Sequence, residues 1–222
     1  MANSSWQVSQ DTASRSLSTH KVLRNTYMML AMTLLFSALT AGVAMSMGVG
    51  RMNIFVLLIG AYGLMFLVHK TANSTAGIFA TFAFTGFMGF TLGPVLNAYL
   101  SLPNGGQLVM TALGMTGITF AGLSAVALVT RKDFSFLGNF LFAGAIVLIL
   151  AMLAAMIFNI SGLALAVSAG FVLFASAAIL FETSQIIHGG QTNYLLATVS
   201  LYVSIYNMFV SLLALLGFTS DD

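Results

Sequence analysis

Seven long apolar runs, divided by short polar breaks, set the pattern of this chain. Residues 1–24 come first; they are polar, rich in Ser and without helical periodicity. The runs then cover residues 27–49, 54–68, 76–100, 108–130, 134–158, 163–187 and 194–218. The breaks carry turn chemistry: Ser101-Leu102-Pro103-Asn104-Gly105-Gly106 after the third run, and His188-Gly189-Gly190-Gln191-Thr192-Asn193 before the last. A helix crosses about 30 Å of hydrocarbon at about 1.5 Å per residue, so about 20 mainly apolar residues suffice for a span. Each run therefore predicts a membrane-spanning helix. A signal peptide has an apolar region of only about 7–15 residues. The first run is longer and follows a long polar leader, so it is expected to be retained as a helix.

The expected organisation is a flexible cytoplasmic tail over residues 1–24, a seven-helix transmembrane domain over residues 25–218, and a short tail over residues 219–222. No internal repeat is recognisable. The fold class is all-α, a polytopic membrane bundle.

Composition agrees with the pattern. Of 222 residues, 59% are hydrophobic and 5% charged, against about 25% charged in a soluble domain. Such a chain has too few polar groups to cover a surface facing water, so its solvent is the lipid bilayer. The net charge of +2 is too small and scattered for nucleic-acid binding. With no cysteine, disulfides and thiolate metal sites are excluded. The 14 methionines serve as apolar filling.

Charge placement predicts orientation. Short loops rich in Lys and Arg stay in the cytoplasm. With the N-terminus inside, Arg15, Lys21, Arg24, Lys70, Arg131 and Lys132 fall on the inner side and only Arg51 on the outer. Seven spans then put Asp221 and Asp222 outside.

Glu182 is the only acidic residue within an apolar run. A carboxylate at a helix centre costs roughly 2.5–3.5 kcal/mol on insertion scales, so it faces a bundle interior or a wet cavity. This makes Glu182 a candidate proton-responsive group; the plainer alternative is a carboxylate reaching the inner interface. The last run carries a polar stripe of Ser200, Ser204, Asn207 and Ser211, which share one narrow sector of a helix. Contacts between helices are the simplest use of the serines, whereas Asn207 needs a partner. In the third run, Gly86, Gly89 and Gly93 offer a surface for close helix approach, and Pro94 removes a backbone donor and should kink the helix. His20, His69 and His188 have no neighbour at i+3 or i+4 to complete a metal site, so neither metal nor cofactor is expected; His69 or His188 would at most modulate Glu182. No phosphate-binding Gly-rich loop, HExxH or GxSxG is present, so catalysis is not expected.

Four stretches together resemble a known family. They are Ser18-Thr19-His20-Lys21-Val22-Leu23-Arg24-Asn25-Thr26-Tyr27; Thr85-Gly86-Phe87-Met88-Gly89-Phe90-Thr91-Leu92-Gly93-Pro94; Phe181-Glu182-Thr183-Ser184-Gln185-Ile186-Ile187-His188-Gly189-Gly190; and Leu201-Tyr202-Val203-Ser204-Ile205-Tyr206-Asn207-Met208-Phe209. The resemblance is to the Bax inhibitor-1, or transmembrane Bax inhibitor motif, family, and covers about residues 18–218. It implies a seven-helix fold of Bax inhibitor-1 type and, in several members, a pH-sensitive cation or calcium leak that needs two interior acids. Glu182 matches the first acid position; Ser204 stands at the second, where a hydroxyl cannot ionise. Calcium conduction is therefore less expected here than in the family, and Glu182 with Ser204 and Asn207 would form a single-proton switch with at most weak cation or proton binding. Within the family the likeness is to bacterial inner-membrane members that modulate the FtsH protease. It implies an FtsH complex as partner, restrained proteolysis as function, and a bacterial inner-membrane location. An ion or proton leak gated by Glu182 is the alternative.

Overall fold

The structure is a computed structural model that describes the backbone of residues 3–218 and side chains from residue 19 onward. Residues 219–222, including the expected acidic tail, lie outside the described residues. Seven helices follow one another: α1 (Asn3–Ser46), α2 (Ile54–Thr71), α3 (Ala76–Leu100), α4 (Gly105–Thr130), α5 (Leu137–Phe158), α6 (Ser161–Ile187) and α7 (Tyr194–Phe218). All seven are long and apolar enough to cross a membrane, and no strand occurs among the described residues. The chain is a multi-pass, all-α membrane protein.

Helices α1, α4 and α5 start three or more residues away from the apolar runs, each for a local reason. The backbone of α1 is helical from Asn3, well before the apolar run, and the portion suited to a span is Thr19–Ser46. No Pro or Gly precedes Gly42, so nothing in the polar leader breaks a helix. Helix α4 starts at Gly105, because the polar and glycine residues ahead of Leu108 supply its first turn. Helix α5 starts late, at Leu137: Arg131 ends α4 in the left-handed conformation at φ 49°, and the Asp133 carboxylate accepts the Ser135 N–H at 2.8 Å.

Helix α7 is the axis of the bundle, packing against α1, α2, α3, α4 and α6, whereas α5 leans on α6 alone. One apolar cluster joins Leu30, Val68, Phe84, Ile186, Leu201 and Tyr202; a second joins Leu108, Ala112, Ile179, Met208, Leu212 and Leu213. Phe120 packs against both. The outward faces are apolar too, with Phe66, Ile118, Val129 and Phe142 exposed. In water these faces would be unstable; in a bilayer they meet lipid tails.

Small residues let α3 approach α1. A Cβ on Gly89 would collide with the Ser37 carbonyl and the Thr40 hydroxyl, and one on Gly93 would lie 2.6 Å from the Ala44 methyl. Gly86 faces the Phe36 ring. Pro94 is buried within α3, and three residues on Asn97 donates to the Met45 carbonyl at 3.4 Å.

Loops at one end are tied together. Asn193 caps α7 by accepting the Leu195 N–H at 2.9 Å, and its amide donates to the Ala72 carbonyl and to Asn73, both at 2.9 Å. The His188 ring meets the Ser184 carbonyl at 2.9 Å and the Arg131 carbonyl at 3.2 Å. The Ser184 hydroxyl accepts the Phe134 N–H at 2.9 Å. Hence the ends of α2, α4 and α6 and the start of α7 share one face of the bundle.

Candidate functional site

Glu182 lies on α6 five residues before its end, and Ser200 lies on α7 six residues after its start. The two helices are adjacent and joined by a short hinge, turned at Gly189 with φ +77°. Equal depth on antiparallel neighbours follows from these counts, at about 1.5 Å per residue. The half-buried Glu182 carboxyl faces the Ser200 hydroxyl across the α6–α7 contact.

The other members of the polar stripe are placed differently. The buried Ser204 hydroxyl donates to the Ser200 carbonyl of its own helix at 3.1 Å. Asn207 is half-buried and Ser211 buried further along α7. Thus Glu182 is brought together with Ser200, and Ser204 joins them only through the Ser200 backbone. Neither His69 nor His188 is paired with Glu182: His69 bonds to the Met65 carbonyl at 2.9 Å, and His188 holds the turn after α4. No group of three metal-ligating side chains occurs among the described residues.

A second polar centre, invisible in the sequence, lies where α1, α3 and α7 meet. The Tyr202 hydroxyl donates to the Thr85 carbonyl at 3.2 Å and lies 2.6 Å from the Ser37 hydroxyl. A phenol has one proton, so with that proton on Thr85 the Ser37 hydroxyl donates to Tyr202. Tyr202 also stacks on Tyr206, ring centroids 6.3 Å apart, and meets Phe84 edge-on. In the sequence Tyr202 reads as one more apolar-compatible position, and a serine one turn after another polar residue on α1 carries no spacing signal.

The profile of the family described as "Inhibitor of apoptosis-promoting Bax1" matches residues 19–221. The chain belongs to this family. Among its relatives, an uncharacterised protein of Pseudomonas aeruginosa is 59% identical over 90% of each chain. The Escherichia coli K12 protein named "Modulator of FtsH protease YccA" is 56% identical over 93% of this chain and 94% of its own. An uncharacterised membrane protein of Vibrio cholerae is 46% identical over 94% of each chain. The Bax1 inhibitor profile spans all seven membrane-crossing segments.

Proposed function

We propose that this chain is a bacterial inner-membrane protein that binds the FtsH protease and restrains its proteolysis of other membrane proteins. One observation carries the reading: 56% identity, over nearly the full length of both chains, to a relative named as a modulator of that protease. Identity of this extent leaves the same bundle surfaces available to the same class of partner. The chain offers no paired catalytic groups within its spans, which fits a modulator rather than a second protease. The excess of Lys and Arg at the end shared by Lys21, Arg24, Lys70, Arg131 and Lys132, with Arg51 at the other, favours a cytoplasmic N-terminus and a periplasmic C-terminus.

The test is expression in cells lacking their own FtsH modulator. Degradation of a membrane substrate of FtsH should slow, and the protease should copurify after crosslinking in native membranes. Unchanged degradation together with no copurification would overturn the proposal.

A second reading, proton or cation passage gated within the bundle, has the Glu182–Ser200 pair in its favour, since a carboxyl held between helices is suited to responding to a proton. Liposomes containing the purified protein that pass no ion at any pH would remove it. The two readings are compatible, because protonation that shifts α6 against α7 would also alter a surface offered to a partner.

A further inference from the structure

Helices α1 and α4 leave a cleft between them. Their backbones make no close approach among the described residues, and a ring contact between Tyr27 and Phe120, centroids 6.0 Å apart, bridges the gap. On one side of that bridge lies an open cavity of about 620 Å³ walled by His20, Lys21, Arg24, Tyr27 and, across from them, Leu128. On the other side lies an apolar recess of about 410 Å³. It is walled by Leu34 and Ala38 of α1 and Leu113 and Gly117 of α4, with Tyr206 and Phe209 of α7 on its floor.

We infer that this cleft is a binding site for an anionic glycerophospholipid, its phosphate held by Lys21 and Arg24 and one acyl chain laid in the recess. The order of chemistry along the cleft is that of the lipid. Basic side chains stand at the end of the span, where headgroups lie, and the apolar walls continue toward the bilayer centre. Basic pockets between membrane helices suit anionic headgroups in this way. At the junction stands Tyr27, which meets the Phe120 ring and also lines the basic cavity. Size argues against a protein helix as the occupant. A helix about 10–12 Å across with a pitch of about 5.4 Å fills on the order of 400–600 Å³ per turn. The recess would seat about one turn of it, whereas an acyl chain is thin and flexible enough to follow the whole wall.

The test is native mass spectrometry of the purified full chain in neutral detergent, titrated with phosphatidylglycerol or phosphatidylcholine of identical acyl chains. Phosphatidylglycerol should be retained in preference, and the double substitution Lys21→Ala, Arg24→Ala should lower that preference on the order of tenfold. Both side chains are exposed, so the fold should survive. Gly117→Phe should lower retention of both lipids by filling the recess, since a Cβ there meets nothing within 4 Å. Equal retention of the two lipids by the unaltered chain would overturn the site, leaving only ordinary boundary lipid. So would a preference that survives the double substitution, or retention unaffected by Gly117→Phe.

Discussion

The hydroxyls of Ser37 on α1 and Tyr202 on α7 lie 2.6 Å apart, both side chains buried, and Tyr202 donates its own hydrogen bond to the Thr85 carbonyl on α3. One phenol thereby fastens three helices at the centre of a bundle otherwise held by apolar packing. Tyr202→Phe keeps the ring contacts with Phe84 and Tyr206 and removes both hydrogen bonds. Hydrogen bonds between membrane helices contribute about 0.6 kcal/mol on average and up to about 1.7. The variant should therefore lose about 1 kcal/mol of stability, read from unfolding in mixed detergent and sodium dodecyl sulfate. Unchanged stability would show that the network contributes nothing.

Substitutions along the α1–α3 contact should depend strongly on position. Gly89→Ala drives a methyl into the Ser37 carbonyl and the Thr40 hydroxyl, and the main chain on the other side cannot move aside cheaply. Overpacking of this kind costs about 1–3 kcal/mol. Gly42→Ala, on the open side of α1, meets nothing within 4 Å. It should be neutral, or stabilising by up to about 1 kcal/mol, because glycine is a poor helix residue. The same unfolding measurement separates the two, and equal effects would contradict the close approach at Gly89.

Much of the fold was legible before any coordinates, because a bilayer demands a long apolar run for each crossing and this chain interrupts its runs sharply. Where the pattern misplaced a helix start, as at Gly105 and Leu137, the residues that decide are glycines and turn formers, whose effect is conformational and not apolar. The candidate site was legible in one residue. Glu182 stands out as a lone acid, but the stripe Ser200, Ser204, Asn207 and Ser211 gives no indication by itself of which member lies level with it. Counting outward from the hinge selects Ser200: five residues back along α6 and six forward along α7. The Tyr202 centre and the α1–α4 cleft had no such signal, since each depends on which non-consecutive helices lie side by side.

Asp133 supplies a pH dependence with a defined sign. The Ser135 backbone N–H, then the Ser135 hydroxyl, and more weakly the His188 ring hold its carboxyl below the ordinary aspartate range. A folded-state value below the unfolded one adds stability that is complete above the unfolded value and disappears as the pH falls through the folded one. Asp133→Ala should therefore lower the melting temperature slightly at about pH 6, and the gap should narrow progressively as the pH falls below the ordinary aspartate value of about 3.9. A gap between the two proteins that persists at low pH would assign the effect to packing instead.

Glu182→Gln keeps a side chain able to bond to the Ser200 hydroxyl and removes the ionisable group. If protonation of Glu182 shifts α6 against α7, the variant should fold normally while losing any pH dependence of ion flux in liposomes, or of restraint on FtsH in membranes. Ser200→Ala, which removes the partner and keeps the acid, should displace the pH profile without abolishing it. A profile identical in all three proteins would leave Glu182 with a purely structural part.

The polar leader gives the sharpest test of how a bundle like this would reach a protease. An extended tail of 24 residues would span roughly 80 Å at about 3.4 Å per residue. The backbone of residues 3–18 is helical and continuous with the first span, so in that form it extends only about 24 Å beyond Thr19, at about 1.5 Å per residue. A partner engaged by this segment would then have to lie close to the membrane surface, as a membrane-anchored protease does. Residues 1–17 also lie outside the family match, which begins at residue 19, so removing them leaves every membrane-crossing segment intact. Deletion of residues 1–17 should therefore yield a bundle with an unchanged melting temperature in detergent but an altered half-life in cells or a weaker restraint on FtsH. If half-life and restraint both match those of the full chain, contact with the protease must be made by the bundle itself.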